Sequence, residues 1–157
     1  MKMYLKFLIK TILIFLICGS MYYGIKLLCY GEAHIVMFLL AGVCGMVFVD
    51  PMYSFFYPEF SLLTQIIGST ILCIISEGCC GIMINVVHQY NIWDYSDLQG
   101  TFLLGQCNIY FTWIWLIVVI TGIIFCDTLN YYWIKYNPRT CYKIKNHIIF
   151  QFKNRRK

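Results

Sequence analysis

The stretch LLTQIIGSTILCIISEGCCGIMINVV, Leu62–Val87, decides how this chain is read. A helix rises about 1.5 Å per residue, so the run is long enough for the ~30 Å hydrocarbon core of a bilayer. Near its middle sits a carboxylate, Glu77. A charge at that depth costs a few kcal/mol on insertion scales, so Glu77 is expected to face protein and not lipid. Residues spaced by four around it form a row of small or polar groups: Gln65, Ser69, Cys73, Glu77, Gly81 and Asn85. Such a row is continuous along a helix; its small members admit a neighbouring helix and its polar members can bond across the contact. Gly78 widens the strip, and His88 follows Asn85.

Three further apolar runs lie outward from this one, giving expected helices at residues 7–29, 33–49, 62–87 and 101–126. The chain has 157 residues, 61% hydrophobic and only 12% charged, well above the roughly 45–50% apolar content of soluble domains. We therefore expect an all-α integral membrane bundle of four transmembrane helices in residues 1–134, then a basic tail, 135–157. Asp50-Pro51 closes the second run, because proline lacks a donor and disfavours helix before it.

Lys2, Lys6 and Lys10 precede or enter the first run, and eight basic residues from Lys135 to Lys157 follow the fourth; Lys26 alone lies elsewhere. Positive charge marks the cytoplasmic side, so both termini are expected there. The 91–99 loop, with Asp94 and Asp97, would face outward, and the middle loop, with Asp50 and Glu59, would face the cytoplasm. The first run also carries signal-peptide features, a basic start, an apolar Ile12 to Cys18 core and Gly19-Ser20; against this, apolar character continues through Leu28. Retention is the expectation.

In the fourth run Thr101, Gly105, Asn108 and Thr112 have helical spacing, with Gln106 near the same level, which points to an antiparallel hairpin of the third and fourth helices. Depth matching brings Asn85 near Gly105 and Glu77 near Thr112 or Trp113. No basic residue is expected at the depth of Glu77, so its partner should be a hydroxyl, an indole or tyrosine donor, or a group from another chain. Two roles remain open for it: a proton or cation site on a transport path, or a protonated carboxyl bonded across the bundle. Ala41 with Gly45, and Ser20 with Gly24, are read as simple packing pairs.

The loop Trp93-Asp94-Tyr95-Ser96 is the most distinctive short string. Its aromatics suit the membrane boundary; Asp94 and Ser96 suit a turn, and Asp97 could cap the fourth helix. Its two carboxylates could alternatively form a cation-facing rim. Most of the nine cysteines fall in apolar runs, with no CxxC pair, and the histidines lack ligand spacing. No metal, no cofactor and no enzymatic activity are expected.

A resemblance enters through Glu77-Gly78, Gly81, Asn85, Trp93-Asp94-Tyr95-Ser96, Gly105-Gln106 and a tryptophan at Trp113 or Trp115. These residues resemble a family of small bacterial membrane proteins, the ABC-transporter type IV or CmpB-like permeases. His34 and the segment Met37 to Gly42 are similar to that family's His-x-x-Met-Phe-x-Leu-x-Gly stretch. The resemblance covers residues 33–127. Where the family reads Ile-Cys after its Gly-Arg/Gln pair, this chain reads Cys107-Asn108. The resemblance implies a permease-like subunit of the bacterial cytoplasmic membrane and assigns no catalytic residue. No Walker loop is present in the sequence, so ATP hydrolysis would need a separate ATPase subunit.

The leading expectation is thus a multi-pass permease subunit, built around Glu77, Gly81, Asn85, Gln106 and Asn108. A noncatalytic membrane scaffold or assembly factor is the alternative. Expected partners are the lipid bilayer, further copies or another membrane subunit, and no nucleic acid. The tail, with Ile144, Ile148, Ile149, Phe150 and Phe152 among its basic residues, is expected either to set topology or to form an amphipathic interfacial helix.

Overall fold

Three helices start where a side chain can accept a free backbone N–H: His34 Nδ1 from Val36 at 3.2 Å, Ser61 Oγ from Thr64 at 3.1 Å, and Asn108 Oδ1 from Tyr110 at 2.8 Å. The computed structural model describes residues 3–50, 61–134, 141–144 and 147–151. Its helices are α1 (Met3–Tyr30), α2 (Ile35–Val49), α3 (Leu62–Val87) and α4 (Ile109–Ile134). Of these, α1, α3 and α4 are long and apolar enough to cross a membrane; α2 is a shorter apolar helix. The last turns of α2, α3 and α4 widen to i→i+5 bonding over Gly45–Val49, Ile82–Val87 and Asn130–Ile134. In α3 this matters locally. A row spaced by four drifts about 40° per step on an α-helix, and the wider turn offsets that drift, keeping Asn85 buried on the face of Glu77.

Helix α1 packs along α2, and α4 packs against both α1 and α3. Close approach of α1 and α2 depends on small residues. A Cβ on Gly19 would stand 2.7 Å from the Phe38 carbonyl oxygen, and one on Gly45 would stand 2.7 Å from Cys18 Sγ. The two small-residue pairs therefore differ: Ala41 and Gly45 are buried at this contact, whereas Gly24 faces open space. Ile14, Cys18, Ile114, Val118, Val119 and Ile123 fill the centre. Leu63, Ile67, Ile71 and Ile75, about half-exposed and four residues apart, line the opposite side of α3 from Glu77. Polar groups face in and hydrocarbon faces out, the arrangement a lipid solvent requires.

Two expectations are corrected. The fourth helix begins at Ile109 instead of residue 101 and ends at Ile134 instead of 126. Thr101–Phe102 (β1) and Cys107–Asn108 (β2) pair instead as a small antiparallel hairpin. Its turn places Leu103, Leu104 and Gly105 at φ of 52°, 54° and 82°, a left-handed run that no α-helix can contain. The tail forms no helix among its described residues: Cys141–Ile144 (β3) pairs antiparallel with His147–Gln151 (β4). Ile148 and Phe150, two residues apart and both exposed, share one face of that strand. Glu59 of the middle loop and Lys135, Arg139, Lys145, Lys153, Arg155, Arg156 and Lys157 of the tail lie outside the described residues.

Candidate functional site

The row on α3 is buried at every position from Gln65 to Asn85. Glu77, 4% exposed, joins three helices. Its Oε1 accepts the Tyr22 hydroxyl of α1 at 2.5 Å, and its Oε2 accepts the Trp115 indole N–H of α4 at 2.7 Å. The Tyr22 and Trp115 rings lie against each other, centroids 4.3 Å apart. Both carboxyl oxygens thus have a donor, as burial of a polar group demands. The expected hydroxyl and indole donors are both there, but the indole is that of Trp115, half a turn beyond the expected depth, while Trp113 is exposed.

Two turns along α3, Asn85 ties the loop to the bundle. Its amide donates to the Trp93 carbonyl at 2.8 Å and to Gln106 Oε1 at 2.7 Å, while its oxygen accepts from the Ile92 N–H at 2.7 Å. Gly81 makes room for this: a Cβ there would come within 2.7 Å of Gln106 Oε1. Asn108 sits apart from Glu77. Its amide donates to the Gln99 carbonyl and to Thr101 Oγ1, and its oxygen caps α4. Asn108 therefore serves the hairpin turn rather than a helical face. It also takes the capping role expected of Asp97.

The loop signature folds inward. Trp93 and Tyr95 are buried against the bundle, and the Trp93 indole donates to the Gln106 carbonyl at 3.2 Å. Asp94 and Ser96 are exposed; Asp94 Oδ1 accepts the Ser96 hydroxyl at 2.6 Å and the Ser96 N–H at 2.9 Å, closing a side-chain turn. Those bonds, the hydroxyl first, hold the Asp94 carboxyl below the usual aspartate range. Burial, then the charge of Glu77, pushes the Tyr95 phenol up, so it stays a neutral hydroxyl at physiological pH. The same two causes push the Cys107 thiol up to about 12, leaving it inert.

Lys26 is a buried cation close to this end of the row, though no ion pair joins it to Glu77. It lies one turn past Tyr22 on the same face of α1, is 2% exposed, and interacts electrostatically with Glu77. Its ammonium donates to the Tyr95 hydroxyl and lies 4.1 Å, 4.3 Å and 5.0 Å from the ring centroids of Phe111, Tyr95 and Tyr30. Such rings attract a cation through their negative faces. Beside it opens a cavity of about 420 Å³. Lys26, Tyr30, Trp93, Tyr95 and Phe111 line it, with Glu32, His34 and Asp94 also on its wall.

A second charged group closes the other end of α1. Lys10, 2% exposed, bonds Asp50 Oδ1 at 2.7 Å and Asn130 Oδ1 at 3.4 Å. Asp127 is also buried at this level of α4. Between the two polar ends, buried hydrophobic side chains fill the centre.

Among the described residues no group of three histidine, cysteine or acidic side chains could hold a metal ion. What the arrangement can do is bind charge, at a cavity with a cationic floor. No family model, curated protein or solved structure matches the chain. Sequence reasoning missed Lys26, Tyr22 and Trp115 as partners of the row. The available signal was Lys26 itself, a lone cation inside apolar sequence with a tyrosine four residues before it.

Proposed function

We propose that this protein is a permease-type membrane subunit that takes up a small polar solute at the Lys26 cavity. Four helices cross the bilayer of a bacterial cytoplasmic membrane with both termini inside, so the cavity opens outward. At 15 residues, about 22 Å, α2 is short for this role. Tight packing on α1 and modest local thinning of the bilayer would accommodate it. A separate ATPase subunit would supply energy. A second copy or another membrane subunit would complete the path, because hydrophobic side chains fill this bundle's own centre.

The observation that carries this reading is the ammonium of Lys26, held buried at the edge of an open cavity in a membrane protein. An intramembrane ionisable residue is costly, and binding is the usual return for that cost. Reconstitution in liposomes with co-purifying subunits tests it. Solute flux that disappears in Lys26→Met supports the reading, and absence of flux from the complete complex overturns it.

A noncatalytic scaffold is the second reading, favoured by one observation. Both oxygens of Glu77 and both ends of the Asn85 amide are already bonded within the chain. On that reading, disrupting the α3 row releases a partner protein and flux is never seen.

A further inference from the structure

We propose that the Lys26 cavity binds a small zwitterion, its acidic group on the Lys26 ammonium and its own ammonium on the Glu32 and Asp94 carboxylates. This deepens the permease reading and rests on it for the role of the cavity.

The charges around the cavity select the ligand class. An ammonium has three donors, and among the described residues Lys26 uses one hydrogen bond, to the neutral Tyr95 hydroxyl. Glu77 forms no ion pair with it; its two oxygens receive Tyr22 and Trp115. Aromatic rings cover part of the cation without neutralising it. The buried charge therefore has capacity for an anion, and desolvation makes that contact strong.

A simple anion is disfavoured by Glu32 and Asp94, which sit on the same cavity and are exposed. Asp94 uses Oδ1 for both Ser96 bonds, and Oδ2 takes no hydrogen bond among the described residues. A simple cation is disfavoured by Lys26. A molecule with both charges satisfies both ends, and Met37, Ile92 and Leu98 offer apolar contact for a short carbon body. The volume of about 420 Å³ suits an amino acid or a phosphoethanolamine group. Those two share the recognised chemistry, an acidic group and a primary ammonium a few bonds apart.

The test uses the full chain in phosphatidylglycerol nanodiscs, whose lipid lacks an ammonium, read by the emission of the chain's four tryptophans, of which Trp93 lines the cavity. Glycerophosphoethanolamine and a mixture of free non-aromatic L-amino acids are titrated separately, with glycerol 3-phosphate and ethanolamine as controls that carry charge of one sign only. At least one zwitterionic probe should saturate, binding about tenfold or more tighter than either control, the scale of one charge-assisted contact. Lys26→Met should remove the response. Glu32→Gln with Asp94→Asn should weaken zwitterions to the level of glycerol 3-phosphate; both residues are exposed, so this pair tests the inference even where Lys26→Met fails to fold. Phosphatidylethanolamine discs separate the sources. A lipid ligand abolishes the response to soluble probes, whereas a free solute still competes. The inference is overturned if no zwitterion outbinds the controls, or if a folded Lys26→Met protein binds as the parent does. Binding without flux sinks the permease reading alone, and flux without zwitterion binding sinks this inference alone.

Discussion

Tyr22 and Glu77, fifty-five positions apart in sequence, meet in a 2.5 Å hydrogen bond that joins α1 to α3. Trp115 supplies the second donor, so one carboxyl group holds three helices. Glu77→Gln should be tolerated at about 1 kcal/mol, because the amide oxygen can accept from the indole while its NH₂ donates to the tyrosine oxygen. Glu77→Leu should cost about 2–4 kcal/mol, leaving two buried donors unpaired. Thermal unfolding in detergent measures both. A double cycle of Tyr22→Phe with Glu77→Gln should be clearly non-additive.

At the opposite end, Lys10 and Asp50 form a buried ion pair with side-chain exposures of 2% and 14%. Removing one charge strands the other, so Lys10→Met alone should cost about 3 kcal/mol or more. Lys10→Met with Asp50→Leu should recover most of that loss, since an apolar pair needs no solvation. Chemical denaturation in mixed micelles gives the comparison. A double variant no better than the single would rule out the uncompensated charge as the cause.

Glycines on these helices separate into tight and open positions. Gly81→Ala drives a methyl into Gln106 and should cost about 1–3 kcal/mol while loosening the Asn85 contacts. Gly24→Ala meets nothing within 4 Å and should stabilise α1 by about 0.5–1 kcal/mol through helix propensity. Melting temperatures of the two proteins should move in opposite directions.

The turn at Asp94 should respond to acid. Its carboxyl lies below the ordinary value because Ser96 bonds the charged form. Its stabilisation is therefore full above the unfolded value, roughly 3.9, and is lost as the pH falls through the lower folded value. Tryptophan emission should shift in that acid range. Asp94→Asn keeps the acceptor oxygen but cannot titrate, so it should flatten the shift; an unchanged curve would assign the transition to another carboxylate.

The α3 row was legible in the sequence because period and chemistry agree: six small or polar residues spaced by four inside an apolar run leave one inward face. The bounds of α3 were readable for the same reason; the Ser61 cap at its start was not read from the sequence and comes from the structure. Residues 101–108 were not legible. Their Thr-Phe-Leu-Leu pattern is as apolar as helix, and only the positive φ of Leu103 and Leu104 reveals the hairpin. Lys26 was overlooked because membrane lysines near helix ends ordinarily snorkel to the surface. What turns this one inward is the ring cage from Tyr30, Tyr95 and Phe111, two of which come from distant parts of the chain. The tail misled through its apolar residues, whose spacing serves a strand as readily as a helix.

Placing lysines inward at both ends of α1 has a consequence for biogenesis. Lys10 needs Asp50 and Asn130, and Lys26 needs Tyr95 and Phe111. None of these has left the ribosome when the first helix emerges. Because α1 is synthesised before these partners, its two ammonium groups are expected to stay hydrated until the partners arrive, so α1 reaches its final environment late.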